Sequence, residues 1–361
     1  MKADTHNNCQ EISTTKIKLN FPDNKKKAGT ESNAITSHPD NNNKNSNLKN
    51  AENGNDGNDN DYGICSLNTV EQNYATPLII EQLKKIVDTA DLLEIEVINS
   101  TTLQRGLKIE INALGMTSNS ERKAYDGYTF FGYSDKNEID NLNGNNEEEV
   151  NEEEKQNLNN DLDFVLIQKE DNNINEKNIG RHFRIRFDLK NMGYLIKDLG
   201  RGYGTFQKIN GRIKIKDSNL INIGNSYIVC TFGVDEYDVN GGEIANADKI
   251  LNIKVFSETP VTEPYFFNPQ QYKLIYIGRD ISCHIVVDDT LLSRYHCTIE
   301  YDEEDGEWYI IDGKVSDDFM ENKPSTNGSW LYLVDETPII DGMIFKSNHN
   351  VYECHIIKQK K

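Results

Sequence analysis

The sequence predicts an all-β protein, with two β-sandwich domains in tandem after a disordered, Asn-rich N-terminal segment. Two observations carry this. Short runs of alternating or β-branched apolar residues, punctuated by glycine turns, recur from Leu92 to Lys358, and no long amphipathic helix interrupts them. The runs also fall into two blocks with one order of features: a strand ending in Gly132-Tyr133 or Gly278-Arg279, a later histidine opening a strand, a tight turn at YGT or NGS, and a closing strand pair. Repeats of this length indicate duplicated domains rather than a solenoid.

Residues 1–75 are rich in Asn, Lys, Asp and Gly with few large apolar side chains, so they cannot bury enough surface to offset the entropy of ordering and read as disordered. The next segment, TPLIIEQLKKIVDTA from Thr76, reads as a short helix. Thr76 suits the N-cap, Pro77 suits the first turn, and Ile79, Leu83, Ile86 and Val87 share one face. The first strand block, within 76–234, runs through LLEIEVI, GLKIEINAL and YTFFGY, then an acidic insertion at 134–160, then DFVLIQ, HFRIRFD, GYLIKDL, GTFQKI, RIKIKD and YIVCTFGV. Residues 235–248, with Gly241-Gly242, read as a linker. The second block, 249–361, runs through ILNIKVF, PYFF, YKLIYIGR, HIVVDD, HCTIEYD, EWYIIDG, SWLYLV, TPIIDGMIF and VYECHIIK.

The formal charge of -20 argues against a general nucleic-acid or anionic-membrane binder, since both need a basic footprint, but it leaves room for a small basic pocket. The six cysteines form no CxxC pair and no zinc-finger spacing with histidine, so no metal or cofactor is expected and the thiols read as core fillers of a reducing compartment. The N-terminus lacks an apolar signal region, and no stretch of 18 apolar residues occurs. An intracellular location is expected, nucleus or cytoplasm.

Four short patterns in the second block fall in predicted loops, where a sandwich displays binding groups. They are Gly278-Arg279, Ser293-Arg294-Tyr295-His296, Ser325-Thr326-Asn327-Gly328-Ser329-Trp330 and Asp341-Gly342. Arg279 offers a planar fork of donors for phosphate oxygens, and Ser293 a hydroxyl of adjustable direction. Arg294 adds a second positive charge, and the Asn327 amide can bind a peptide main chain with both donor and acceptor. Together such groups can hold a dianionic phosphate and the chain that carries it.

With these residues in view, IGRD, LLSRYHCTIE and PSTNGSWLYL resemble the forkhead-associated (FHA) family, over about Ile250 to Lys358. The resemblance implies a small sandwich of two twisted sheets that binds phosphothreonine peptides through loops at one end. It implies that Arg279 and Ser293 contact phosphate, that Arg294 flanks it, and that Thr326 sits at its edge. Asn327 would hold the peptide main chain, and Leu291 would meet the third residue after the phosphothreonine. Gly278, His296 and Gly328 would brace the loops. A longer acidic stretch, VSDDFMENKP, departs from the family pattern between Asp312 and Ser325 and bears on affinity rather than fold.

The first block resembles the same family in degenerate form, from about Leu92 to Val234. His182 falls on the bracing histidine, Ile179 on the serine, Tyr133 on the phosphate arginine, Gly202 on the threonine and Tyr203 on the asparagine. Neither Ile179 nor Tyr133 supplies the missing chemistry, and Arg181 and Arg201 are the residues that could partly compensate. No P-loop, HExxH, GxSxG or kinase motif occurs. The sequence therefore points to a non-enzymatic adaptor or scaffold that reads phosphothreonine on partner proteins, with a phosphate-independent structural subunit as the alternative.

Overall fold

The computed structural model describes residues 75–134, 161–166, 179–233, 249–258, 263–316 and 322–359. The segment read as disordered (except residue 75), nearly all of the acidic insertion and the whole linker at 235–248 lie outside these residues. The described chain is β-sheet with one α-helix, Pro77–Ile86. Thr76 caps that helix through its hydroxyl, which accepts from the Ile79 N–H at 3.4 Å, and Leu83 is the side chain it buries. The helix stops four residues short of the predicted end. β-Branched Val87 and Thr89 disfavour its continuation, and the Thr89 hydroxyl takes the Ile86 carbonyl at 3.1 Å. No helix among the described residues is long and apolar enough to cross a membrane.

One eleven-stranded sheet runs through the molecule. In spatial order its strands are Tyr265–Phe267, Ile250–Phe256, Ser226–Gly233, Asn219–Ile223, Ser329–Tyr332, Thr205–Lys208, Ile344–Ser347, Asn350–Ile357, Leu92–Asn99, Lys108–Asn112 and Gly115–Met116. A five-stranded sheet covers each end. One is built around Cys297–Asp302 and Glu307–Asp312, the other around Tyr128–Tyr133 and Gly180–Asp188. Side chains alternate inward, as Leu93, Ile95 and Val97 do along Leu92–Asn99.

The apolar residues sort into two cores that do not follow chain order. The first joins Leu93, Phe131, Phe183 and Ile196 to Ile339, Phe345, Tyr352 and Cys354 from the end of the chain. The second joins Ile275, Ile299 and Trp308 to Ile209, Ile221, Ile228 and Cys230 from the middle of the chain. Each half thus sends its closing hairpin into the other half's sandwich. Arg212–Lys214 pairs with Glu307–Asp312, and Thr337–Pro338 pairs with Gly193–Asp198, so the exchange is reciprocal. This differs from successive units at 76–234 and 249–361. The two hairpins, NLINIGNSYIVC and IFKSNHNVYEC, share one pattern of alternation around a tight turn, so periodicity cannot say which core each fills.

The halves meet where Thr205–Lys208 pairs with Ser329–Tyr332 on one side and Ile344–Ser347 on the other. Lys346 lies half-buried in this seam. Its ammonium donates to the Asn222 side-chain oxygen Oδ1 and lies 4.6 Å from the Trp330 ring centre, and burial pushes its pKa down from 10.5 to about 8.

Two outcomes test this architecture. Residues 74–240 and 241–361 co-expressed as separate chains should purify together, with neither folded alone; two independently folded fragments would contradict the exchange. For Lys346, the folded pKa lies below the unfolded one. Its contribution to stability is therefore fully present above about 10.5 and lost as pH falls toward 8. Relative to Lys346→Met, the unfolding free energy of the wild type from urea titration should rise between pH 8 and 10, by about 2 kcal/mol. A pH-independent difference would place this lysine in water.

Candidate functional site

Three loops meet at one end of the second sandwich. The first follows Leu274–Gly278. A Cβ on Gly278 would stand 2.2 Å from the Arg294 carbonyl oxygen, so only glycine lets the two loops touch. The contact is then fixed by backbone bonds from Arg279 N–H to the Ser293 carbonyl (3.3 Å) and from Asp280 N–H to the Arg294 carbonyl (3.0 Å). The Asp280 carboxylate accepts from the Ser282 backbone and hydroxyl, and these bonds, with the nearby charges of Arg294 and Lys314, hold its pKa below the usual carboxylate range.

His296 ties the second loop to the third. Its Nδ1 accepts from the Ser293 N–H at 3.1 Å, which leaves Nε2 to donate to the Gly328 carbonyl at 3.2 Å. The ring is fully buried, and burial keeps its pKa below the ordinary value, so a neutral imidazole with a defined tautomer braces both loops. Asp312 anchors the third loop. Its carboxylate accepts from the Ser325 N–H (3.1 Å), the Ser325 hydroxyl (2.7 Å) and the Ser329 hydroxyl (2.8 Å). Gly328 completes the turn at φ +75°, a conformation that favours glycine.

At the meeting point the Ser293 hydroxyl oxygen accepts from the Thr326 N–H at 2.9 Å and lies 3.3 Å from the Thr326 hydroxyl. The Asn327 amide donates to the Leu291 carbonyl at 2.7 Å, leaving its own carbonyl oxygen open. The Arg279 and Arg294 side chains are exposed, and the guanidinium of Arg279 has no hydrogen bond or ion pair among the described residues. Leu291 is 44 % exposed beside them. The structure therefore brings Arg279, Leu291, Ser293, Arg294, Thr326 and Asn327 to one surface, with Gly278, His296 and Gly328 beneath it.

The second loop also leans on the other half of the chain. Asp289 accepts from the Asn225 N–H and the Ser226 hydroxyl, both at 2.8 Å, and from the Leu291 N–H at 2.9 Å. Asn225 and Ser226 form the turn of the exchanged hairpin. Asp289 and Asp312 escaped the sequence reading because an aspartate before a turn looks like ordinary turn chemistry; their role depends on partners far away in the chain.

The matching corner of the first sandwich has the same frame. A Cβ on Gly132 would stand 2.0 Å from the Gly180 carbonyl, as Gly278 does against Arg294, which aligns Tyr133 with Arg279 and Ile179 with Ser293. Tyr133 is buried, with its ring 4.5 Å from that of His182. Arg181 is engaged by the Asp161 carbonyl and carboxylate, at 3.0 and 2.8 Å. Here the exchanged turn again supplies the brace, since Asn348 accepts from the Tyr203 N–H at 2.9 Å and its amide meets His182 Nδ1 at 2.6 Å. Elsewhere, ligand atoms of Glu94, Glu96 and His355 lie within 4.8 Å of one another, but Lys108 already sits 2.8 Å from Glu94 and 3.8 Å from Glu96.

Against known proteins, residues 275–346 match the family model of the FHA domain. The chain is similar to a crystal structure of Mycobacterium tuberculosis Rv1747 FHA-1 at 17% identity, over 27% of this chain and 89% of that one, with a TM-score of 0.14. No curated protein matches the sequence.

Removing the Asp312 anchor should cost about 3 kcal/mol in Asp312→Ala, because three donors lose their acceptor at a buried site. Denaturant unfolding measures this, and a loss under about 0.5 kcal/mol, the level of an ordinary surface substitution, would show that the carboxylate does not hold the loop.

Proposed function

Residues 275–346 carry an FHA domain, a phosphopeptide-binding interaction module, and from that premise we propose that the protein is a phosphothreonine-dependent adaptor whose second sandwich docks onto phosphorylated partners. The observation that supports this most is Arg279, exposed and with no side-chain partner among the described residues, on a loop whose backbone is bonded to Ser293, in a chain of net charge -20. In such a chain an exposed cation with no carboxylate partner among the described residues, on a loop tied to the Ser293 loop, is suited to an external anion.

In this reading Arg279 grips phosphate oxygens with its fork of donors, and Arg294 adds charge from the flank. The Ser293 oxygen is positioned by the Thr326 N–H, and its proton, which donates to the Thr326 hydroxyl at 3.3 Å, turns from there toward the phosphate. Asn327, steadied by Leu291, offers its carbonyl oxygen and second N–H to the peptide main chain. The exposed Leu291 side chain favours an apolar residue three positions after the phosphothreonine. The work is binding rather than catalysis, inside the cell, in nucleus or cytoplasm. The first sandwich keeps the frame without the phosphate groups and serves as a scaffold. If binding proves indifferent to phosphorylation, the protein is a structural subunit instead.

The test uses the full chain and a phosphothreonine peptide library, with phosphoserine and unphosphorylated peptides beside it. Binding should require phosphothreonine, and Arg279→Ala should weaken it by about 2–5 kcal/mol. Equal affinity of wild type and Arg279→Ala for the selected peptide would refute the assignment.

A further inference from the structure

Lys208 closes the strand Thr205–Lys208, which belongs to the first half of the sequence, yet it lies against the reading loop of the second half. Its Cα stands opposite Trp330 across the seam. Its Cε and Cγ lie 3.0 and 3.7 Å from the place a Cβ on Gly328 would occupy, so the bare glycine makes room for the lysine stem along the loop. The ammonium has no hydrogen bond or ion pair among the described residues, although the chain carries 59 acidic side chains against 39 basic ones. Other lysines of the same segment are paired, Lys214 with Glu307 at 3.1 Å and Lys216 with Asp335 at 3.9 Å.

Lys208 also lines a crevice of about 330 Å³, together with Pro324, Ser325, Ile340 and Ile344. Ser325 immediately precedes Thr326, so the crevice borders the surface described above. Two carboxylates line it, and both are engaged: Asp312 with its hydroxyl and backbone donors, and Asp341 with the Ile356 N–H at 2.9 Å. Among the described residues, the lysine is the unpaired charge of the crevice.

From this arrangement we infer that the phosphopeptide site extends across the seam, and that Lys208 receives a second anionic side chain of the same ligand, a carboxylate or another phosphate. This rests on the reader function proposed above. A peptide held at Asn327 passes Gly328 one residue away, and an extended residue spans about 3.3–3.6 Å. An anion one to three residues from the phosphothreonine therefore reaches the lysine. The consequence is that the first half, silent toward phosphate in its own loops, takes part in selecting the ligand.

The experiment compares full-length wild type, Lys208→Ala and Lys208→Glu, none of which alters the groups assigned to the phosphothreonine. The probes are a phosphothreonine peptide with alanine at the three positions on either side, and variants carrying one aspartate or one phosphoserine at each position in turn. At one or two positions the added anion should tighten wild-type binding about fivefold. Lys208→Ala should erase that gain without changing affinity for the alanine peptide, and Lys208→Glu should turn the gain into a loss. A gain that survives in Lys208→Ala, or no gain anywhere while binding still requires phosphothreonine, overturns the extended site alone. No phosphothreonine-dependent binding by the wild type overturns the reader function and this inference with it.

Discussion

Each block's closing hairpin fills the sandwich built on the other block's strands, and most of the molecule's other features depend on that exchange. Buried apolar area is the main favourable contribution to folding. Here a large share of it, from Ile221, Ile228 and Cys230 in one direction and Phe345, Tyr352 and Cys354 in the other, is realised only when both halves are folded. The continuous sheet and the seam around Lys346 follow from the same crossing of strands. Stability, on this account, belongs to the pair and not to either half.

The functional end of the second sandwich inherits this dependence. His296 and Asp312 hold their loops with partners from the second half, but the Ser293 loop is steadied through Asp289 by the Asn225-Ser226 turn of the first. The first sandwich repeats the device with Asn348. Loops braced at buried polar groups leave little freedom at the surface, so the exposed groups are presented with little ordering left to do on binding. That economy suits recognition of a short peptide. The family match over residues 275–346 follows the chain, whereas the physical module that presents the site draws on both halves.

Much of this was legible in the sequence. Alternation in LLEIEVI and YKLIYIGR marked strands, and the grouping of Arg279, Ser293, Thr326 and Asn327 on successive loops appeared before any coordinates. In the first block Gly132 and Gly180 meet as Gly278 and Arg294 do, the pairing of positions that the sequence alignment of the two blocks expects. What stayed hidden is long-range. Two hairpins of one pattern serve two cores, and no local property of NLINIGNSYIVC says that it joins the core that holds Trp308. Lys208 was equally invisible, since a lysine at a strand end reads as surface until Gly328 is found against it. The helix end at Ile86 was misjudged for a local reason, the low helix propensity of the Val87–Thr89 stretch.

The claim at the centre is that a phosphate site on the second sandwich is held in shape by the first. Amide chemical shifts of the full chain, titrated with a phosphothreonine peptide, address it most directly. The account predicts changes at Arg279, Ser293, Arg294, Thr326 and Asn327, relayed to Asn225 and Ser226, and none with the unphosphorylated peptide. Changes centred on Tyr133 and Ile179, or identical changes with and without phosphate, would contradict it.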